Sequence, residues 1–213
     1  MQDHRRLTRL KQLLGVPVVP VLTIDRVEDA LPLARALADG GLTTLEVTLR
    51  TTAALSAINV IAEALGHVAV GVGTVRSPEQ AAAVIEAGAQ FIVSPGITPR
   101  LAEAAQSWPV PFLPGAATAS EMMALADMGY YVQKFFPAGA SGGVSALKAF
   151  AAPLSGINFC PTGGVDAGNA ADYLALPNVI CVGGSWVAPA GLIKRQDWSA
   201  ITVLAKDAAD LGR

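Results

Sequence analysis

The sequence predicts an α/β fold, a closed (β/α)8 (TIM) barrel with an extra N-terminal helix, and three observations predict it. Short apolar, β-branched runs alternate with alanine-rich helical patterns along the whole chain. Eight such runs begin near Pro17, Thr43, Val68, Gln90, Val110, Tyr131, Ile157 and Asn178, at intervals of 20 to 26 residues. Each interval has room for one strand, one helix and two short loops. No glycine fingerprint of the G-x-G-x-x-G type follows the first run, which argues against an open, doubly wound sheet. The 213 residues contain no linker or low-complexity tract, so one domain over 1–213 is expected.

The elements follow in order. In "MQDHRRLTRLKQLL" the basic residues interleave with leucine at helical spacing, which predicts an extra helix over the bottom of the barrel. Asp25 precedes the helical run "RVEDALPLARAL", and Ser77-Pro78 precedes "EQAAAVIEAG". Thr118 and Glu121 have the spacing of a capping box. Gly40, Gly88 and Gly129 stand where helices should stop.

Composition narrows the function. Apolar residues make up 52% and charged residues 15% of the chain, enough for a large core and sparse cover for a monomer's surface. An oligomer with a buried face is expected. The net charge of −2, without a basic block, argues against nucleic acid. Cys160 and Cys181 sit in apolar runs and read as reduced core residues. His4 and His67 are too far apart in sequence to suggest a metal cluster. No run has the length of a signal peptide core or a membrane span, so a cytoplasmic protein is expected.

In a barrel the C-terminal ends of the strands carry the chemistry. Those ends read "EVTLR", "GVGT", "SPG", "PGAAT", "KFFPAG", "PTGG" and "VGGS", where polar residues and glycine collect. Strand alternation places Leu45, Val47 and Leu49 on one face and Thr44, Glu46, Thr48 and Arg50 on the other. The polar face should look into the barrel. The same alternation puts Val132, Lys134 and Phe136 together. Of five lysines only Lys134 falls in a strand pattern, and of seventeen acidic residues only Glu46 does. A structural ion pair would explain two inward charges. Arg50, Thr74 and Thr162 at the same rim add more polar groups than one ion pair needs.

An amine attacks a ketone only when unprotonated; apolar surroundings penalise an ammonium, and a nearby carboxylate favours it. An imine between Lys134 and a 2-keto acid would act as an electron sink for breaking the C3–C4 bond. Glu46 is the candidate acid/base, and Arg50 is the candidate fork for the substrate carboxylate. The chemistry needs no metal and no cofactor. The Gly-Gly pairs of "PTGG" and "VGGS", with Ser185, fit a phosphate cradle after the last two strands.

The motifs "LEVTLRT", "GVGTV", "GAQFIVSPG", "KFFPA", "FCPTGGV" and "VGGSW" resemble those of the bacterial 2-keto-3-deoxy-6-phosphogluconate aldolase family, which includes 4-hydroxy-2-oxoglutarate aldolases. The resemblance runs from about Val16 to the C-terminal helix. It implies a metal-free class I aldolase of the Entner–Doudoroff pathway, a homotrimer, cleaving the phosphorylated keto acid to pyruvate and glyceraldehyde 3-phosphate. It implies Lys134 as the Schiff-base lysine and Glu46 as the general acid/base. Arg50 and Thr74 would hold the pyruvate carboxylate, and Pro95 and Phe136 would wall the pocket. Thr162 would line it, and Gly163, Gly164, Gly184 and Ser185 would contact the distal phosphate. Gly139, Ala116 and Ala117 depart from the family pattern and bear on substrate preference. The alternatives are a 4-hydroxy-2-oxoglutarate or phosphogalactonate aldolase and, in a different class, a non-catalytic phosphate-binding barrel or a barrel isomerase.

Overall fold

The computed structural model describes residues 4–211. Residues 1–3 and 212–213, the ends of the predicted 1–213 domain, lie outside the described residues. Helix α1 (His4–Leu13) leads into β1 (Val18–Leu22), α2 (Val27–Asp39), β2 (Thr44–Thr48), α3 (Ala54–Ala64), β3 (Ala69–Gly73) and α4 (Pro78–Glu86). Then come β4 (Phe91–Val93), α5 (Pro99–Ala105), β5 (Phe112–Leu113), β6 (Gly115–Ala116), α6 (Ala119–Asp127) and β7 (Val132–Phe135). The chain ends with α7 (Gly143–Phe150), β8 (Asn158–Pro161), α8 (Ala170–Leu174), β9 (Val182–Gly184), α9 (Ala190–Arg195) and α10 (Trp198–Ala209).

Every strand pair is parallel, as expected where each strand is followed by a helix crossing back over the sheet. Six strands run in the order β5-β4-β3-β2-β1-β9, and three more in the order β6-β7-β8. The sheet is curled, so that Lys134 of the three-stranded part touches Glu46 of the six-stranded part. Isolated parallel bridges join Phe159 to Val179 and Thr162 to Gly183, from β8 and its exit to the β9 segment.

Alternation sorts the core into two layers. Leu45, Val47 and Phe135 belong to the large outer cluster packed against the helices. Val19, Phe91, Val93, Leu113, Val132, Cys160 and Cys181 form a separate cluster inside the curl. Leu10 and Leu14, from the end of α1 and just beyond it, complete that inner cluster. The Thr44 hydroxyl, at the start of β2, donates to the Leu13 carbonyl at 2.6 Å. The extra helix therefore covers the N-terminal ends of the strands, as the sequence predicts, and the opposite ends stay open for chemistry.

Two strand expectations need correction. The fifth strand is split into β5 and β6 at Pro114, which has no N–H to give to a ladder. The last strand begins at Val182 rather than near Asn178. The Asn178 side chain is instead turned to the Leu147 carbonyl at 2.9 Å, at the end of α7. Helix starts are met at Ser77, which caps α4, and at Thr118 with Glu121, a complete capping box on α6. At α2 the cap position falls on Arg26, with no side-chain cap bond, so Asp25 is not the cap.

Candidate active site

Strands β2 and β7 each carry one inward charge, and the curl brings the two together. Lys134 Nζ lies 3.1 Å from Glu46 Oε1, with the two residues 4% and 3% exposed. Burying a charge pair costs several kcal/mol per ion by desolvation, roughly offset only by good geometry, so such a pair is a poor device for stability alone. Lys134 Nζ also stands 5.3 Å from the centre of the Phe136 ring. Room for the carboxylate comes from Gly73: a Cβ added there would fall on the Glu46 side chain. Gly115 and Cys160 stand level with Lys134 on the flanking strands.

The Cys181 thiol is pushed well above its ordinary range, first by its hydrogen bond with Cys160, then by burial and the nearby charge of Glu46. Both cysteines stay free and buried, consistent with their reading as core residues.

Above the pair opens a cleft of about 300 Å3 at the C-terminal ends of the strands. Its wall includes Arg50, Phe136, Thr162, Gly163, Gly164, Gly184 and Ser185, seven of the predicted site residues, together with Val21, Thr23, Val165 and Gly183. Lys134 and Glu46 are not themselves in this wall, but Val21 of the wall stands level with Glu46 as its register partner. A larger cavity of about 490 Å3 at the other ends of the strands is lined by Gly15, Val16, Pro17, Gly41, Leu174, Val179, Ile180, Ala209 and Leu211. It has no ionisable side chain in its wall, so the smaller cleft, which has Arg50, is the candidate site.

Thr74 and Pro95 are not part of the cleft wall. They leave the neighbouring strands on the other side of the pair. Thr74 directly follows Gly73, where the Glu46 carboxylate rests, and the backbone of Pro95 lies against Gly115. Thr74 has φ +64, a left-handed conformation that a β-branched residue adopts only at a cost of roughly 1–3 kcal/mol.

The loop after β8 turns its backbone toward the cleft. Gly163 and Gly164 have φ +91 and +77, conformations natural only to glycine. The carbonyls of Thr162, Gly163 and Gly164 accept from Ala138 N at 2.8 Å, Gly139 N at 2.8 Å and Asn169 Nδ2 at 3.0 Å. Among the described residues no acceptor is found for the Gly163 and Gly164 N–H groups. Across the loop, Gly184 is held under the Trp186 ring, where an added Cβ would collide. Sequence reading did not single out Thr23, and it met Val165 and Trp186 only as the last residues of "FCPTGGV" and "VGGSW". Gly183 was read as the first glycine of the "VGGS" pair, and it stands in the cleft wall.

A family model described as "Aldolase: KDPG and KHG aldolase" matches residues 10–204. The chain belongs to the KDPG and KHG aldolase family. Among family relatives, a KHG/KDPG aldolase of Escherichia coli K12 is 50% identical over 194 residues, 91% of each chain. A 2-dehydro-3-deoxy-phosphogluconate aldolase of Pseudomonas aeruginosa is 51% identical over 193 residues, 91% of this chain and 88% of its own. In solved KDPG aldolases the same fold recurs. The Legionella pneumophila enzyme, with pyruvate captured as a covalent carbinolamine, superposes with a TM-score of 0.91 at 46% identity, covering 93% of this chain and 96% of its own.

Proposed function

We infer that this chain is a class I aldolase that cleaves 2-keto-3-deoxy-6-phosphogluconate to pyruvate and glyceraldehyde 3-phosphate, in the Entner–Doudoroff pathway. The observation that carries the reading is the buried Lys134–Glu46 pair, 3.1 Å apart beneath a cleft. The names of the E. coli and P. aeruginosa relatives, and the carbinolamine of the Legionella enzyme, support it.

The Lys134 amine adds to the C2 carbonyl of the keto acid, and loss of water from the carbinolamine leaves an iminium. Glu46 takes the C4 hydroxyl proton as the C3–C4 bond breaks. The bond's electron pair passes through C3 to the iminium nitrogen, giving an enamine and a free aldehyde. Glu46 returns the proton to C3, and water hydrolyses the new iminium to release pyruvate and restore Lys134. Arg50 and Thr74 bind the carboxylate, Pro95 and Phe136 wall the reacting carbons, and Thr162 lines the floor of the cleft. The free N–H groups of Gly163 and Gly164, with Gly184 and Ser185, take the phosphate. Replacing Thr74 by glycine relieves its left-handed strain. Thr74→Gly should therefore unfold in urea at a stability equal to or up to about 1 kcal/mol above the parent, while its KM for pyruvate-derived substrates rises. A clear loss of stability would mean that Thr74 is not strained.

The chain acts as one domain in a closed eight-stranded barrel. The single residue between β5 and β6 and the bridges from Phe159 and Thr162 to the β9 segment support closure. It works as a homotrimer in the cytoplasm; among the described residues no helix is long and apolar enough to cross a membrane. The substrate assignment is tested by kinetics with and without the phosphate. If the Gly-Gly loop holds a phosphate, kcat/KM for the phosphorylated keto acid should exceed that for 4-hydroxy-2-oxoglutarate by about 100-fold or more. Equal values would assign the chain to 4-hydroxy-2-oxoglutarate, the other substrate in the E. coli relative's name.

A further inference from the structure

The cleft has a neighbour. A second cavity of about 300 Å3 shares Thr23 with it and is lined further by Asp25, Arg26, Asp29, Ala190, Ile193 and Lys194. This empty volume separates the first turn of α2 from α9, so the two elements gain little from packing on each other there. One polar link crosses between them, and it ends on Asp29, which Arg26 holds from its own helix. Arg26 donates from Nε and Nη2 to the two oxygens of Asp29, each at 2.9 Å. Gln196 Nε2 donates to Asp29 Oδ1 at 3.0 Å, across 167 residues of sequence. Asp29 is 5% exposed. Its carboxyl is held below the usual range, chiefly by the Arg26 hydrogen bond, with burial opposing and Gln196 assisting. It is an anionic acceptor, and hydrogen bonds to it are charge-assisted.

Gln196 stands where backbone chemistry prefers another residue. It caps the C-terminus of α9 with φ +55, a left-handed position that suits glycine or asparagine. Its long amide reaches Asp29, which glycine could not do. Helix α10, by contrast, is fixed on α2 without this link. Thr202 Oγ1 donates to the Ala36 carbonyl at 3.0 Å, and Gly40 lies so close to Ala205 that a Cβ would collide. Helix α9 is therefore the piece between a fixed α10 and the loop that begins at Ser185, and it borders a void.

We propose that Asp29 and Gln196 are positioning residues for the distal end of the substrate: their hydrogen bond holds α9, and with it the Ser185 loop, against the exit of β1. The proposal rests on the aldolase reading above. It predicts a specific kinetic split, because the phosphate end is served by the clamped loop while Lys134 and Glu46 stand on other strands.

The experiment uses Gln196→Gly, which suits the backbone and removes the side chain that reaches Asp29, with Asp29→Asn as a second variant. For Gln196→Gly, KM for the phosphorylated keto acid should rise about tenfold, with kcat held within about twofold. KM for the unphosphorylated substrate and the yield of borohydride-trapped pyruvate adduct should match the parent, and the thermal midpoint should not fall. Asp29→Asn should move KM in the same direction. An unchanged KM sinks the proposal. So does an equal rise for both substrates, or a general loss that follows a lowered midpoint, since those mark a merely structural link. A parent protein that gains no pyruvate adduct sinks the aldolase reading first and the clamp with it. An adduct with unaltered KM in the variants sinks the clamp alone.

Discussion

Pyruvate followed by borohydride will leave one stable adduct on this chain, and peptide mapping will place it on Lys134. Four other lysines compete for the reagent: Lys11, Lys148, Lys194 and Lys206, all exposed on helices. Lys194 borders the second cavity, beside Asp25 and Asp29, but it is exposed and, like the other three, in no ion pair with a carboxylate among the described residues. Lys134 is buried with Glu46 Oε1 at 3.1 Å and stands 5.3 Å from the ring of Phe136, a residue of the cleft wall. Lys134→Ala should gain no adduct and lose turnover by about 10^4-fold or more. It should also cost stability, because the Glu46 carboxylate would be left buried without a partner, at about 3–5 kcal/mol. Lys134→Ala combined with Glu46→Gln removes that stranded charge and should recover much of the stability with no recovery of activity. An adduct on any other lysine, or a Lys134→Ala protein that still turns over, would remove the imine from the mechanism.

The pair was legible in the sequence because a strand repeats every two residues. Once "TTLEVTLR" reads as a strand with Leu45 and Val47 against helices, Glu46 has one direction left, and the two core layers bear this out. The same rule placed Val132 and Lys134 inward and Phe135 outward. Strand boundaries were less legible where local chemistry departs from the ladder, at Pro114 and at Asn178. Glycine was read as a helix stop and as a phosphate cradle, yet Gly73 is needed inside β3 for the space its missing side chain leaves to Glu46. Periodicity carries no information about such three-dimensional vacancies. Nor could any local pattern pair Asp29 with Gln196, or mark Thr23 as the shared wall of two cavities. These depend on how α9 returns to β1, a property of topology rather than of any window of residues.

Glu46→Gln will separate shape from proton transfer. Glutamine fills the same volume above Gly73 and can still meet Lys134 through its amide oxygen, but it cannot carry a proton between the C4 hydroxyl and C3. Turnover should fall by about 10^2- to 10^4-fold, with KM changed only a few-fold. The slow adduct with pyruvate should still form on Lys134, because the nucleophile remains. Gly73→Ala makes the complementary change: it keeps the carboxylate and takes away its seat, since the new methyl would fall on the Glu46 side chain. If Glu46 acts by position as well as by chemistry, Gly73→Ala should lose turnover too, while retaining the carboxyl group that Glu46→Gln removes. Near-normal turnover in Glu46→Gln would leave the buried ion pair as a structural feature and pass the proton transfer to another group. Loss in Glu46→Gln with none in Gly73→Ala would mean that the carboxylate finds the substrate from more than one place, and that the glycine in β3 serves only the fold.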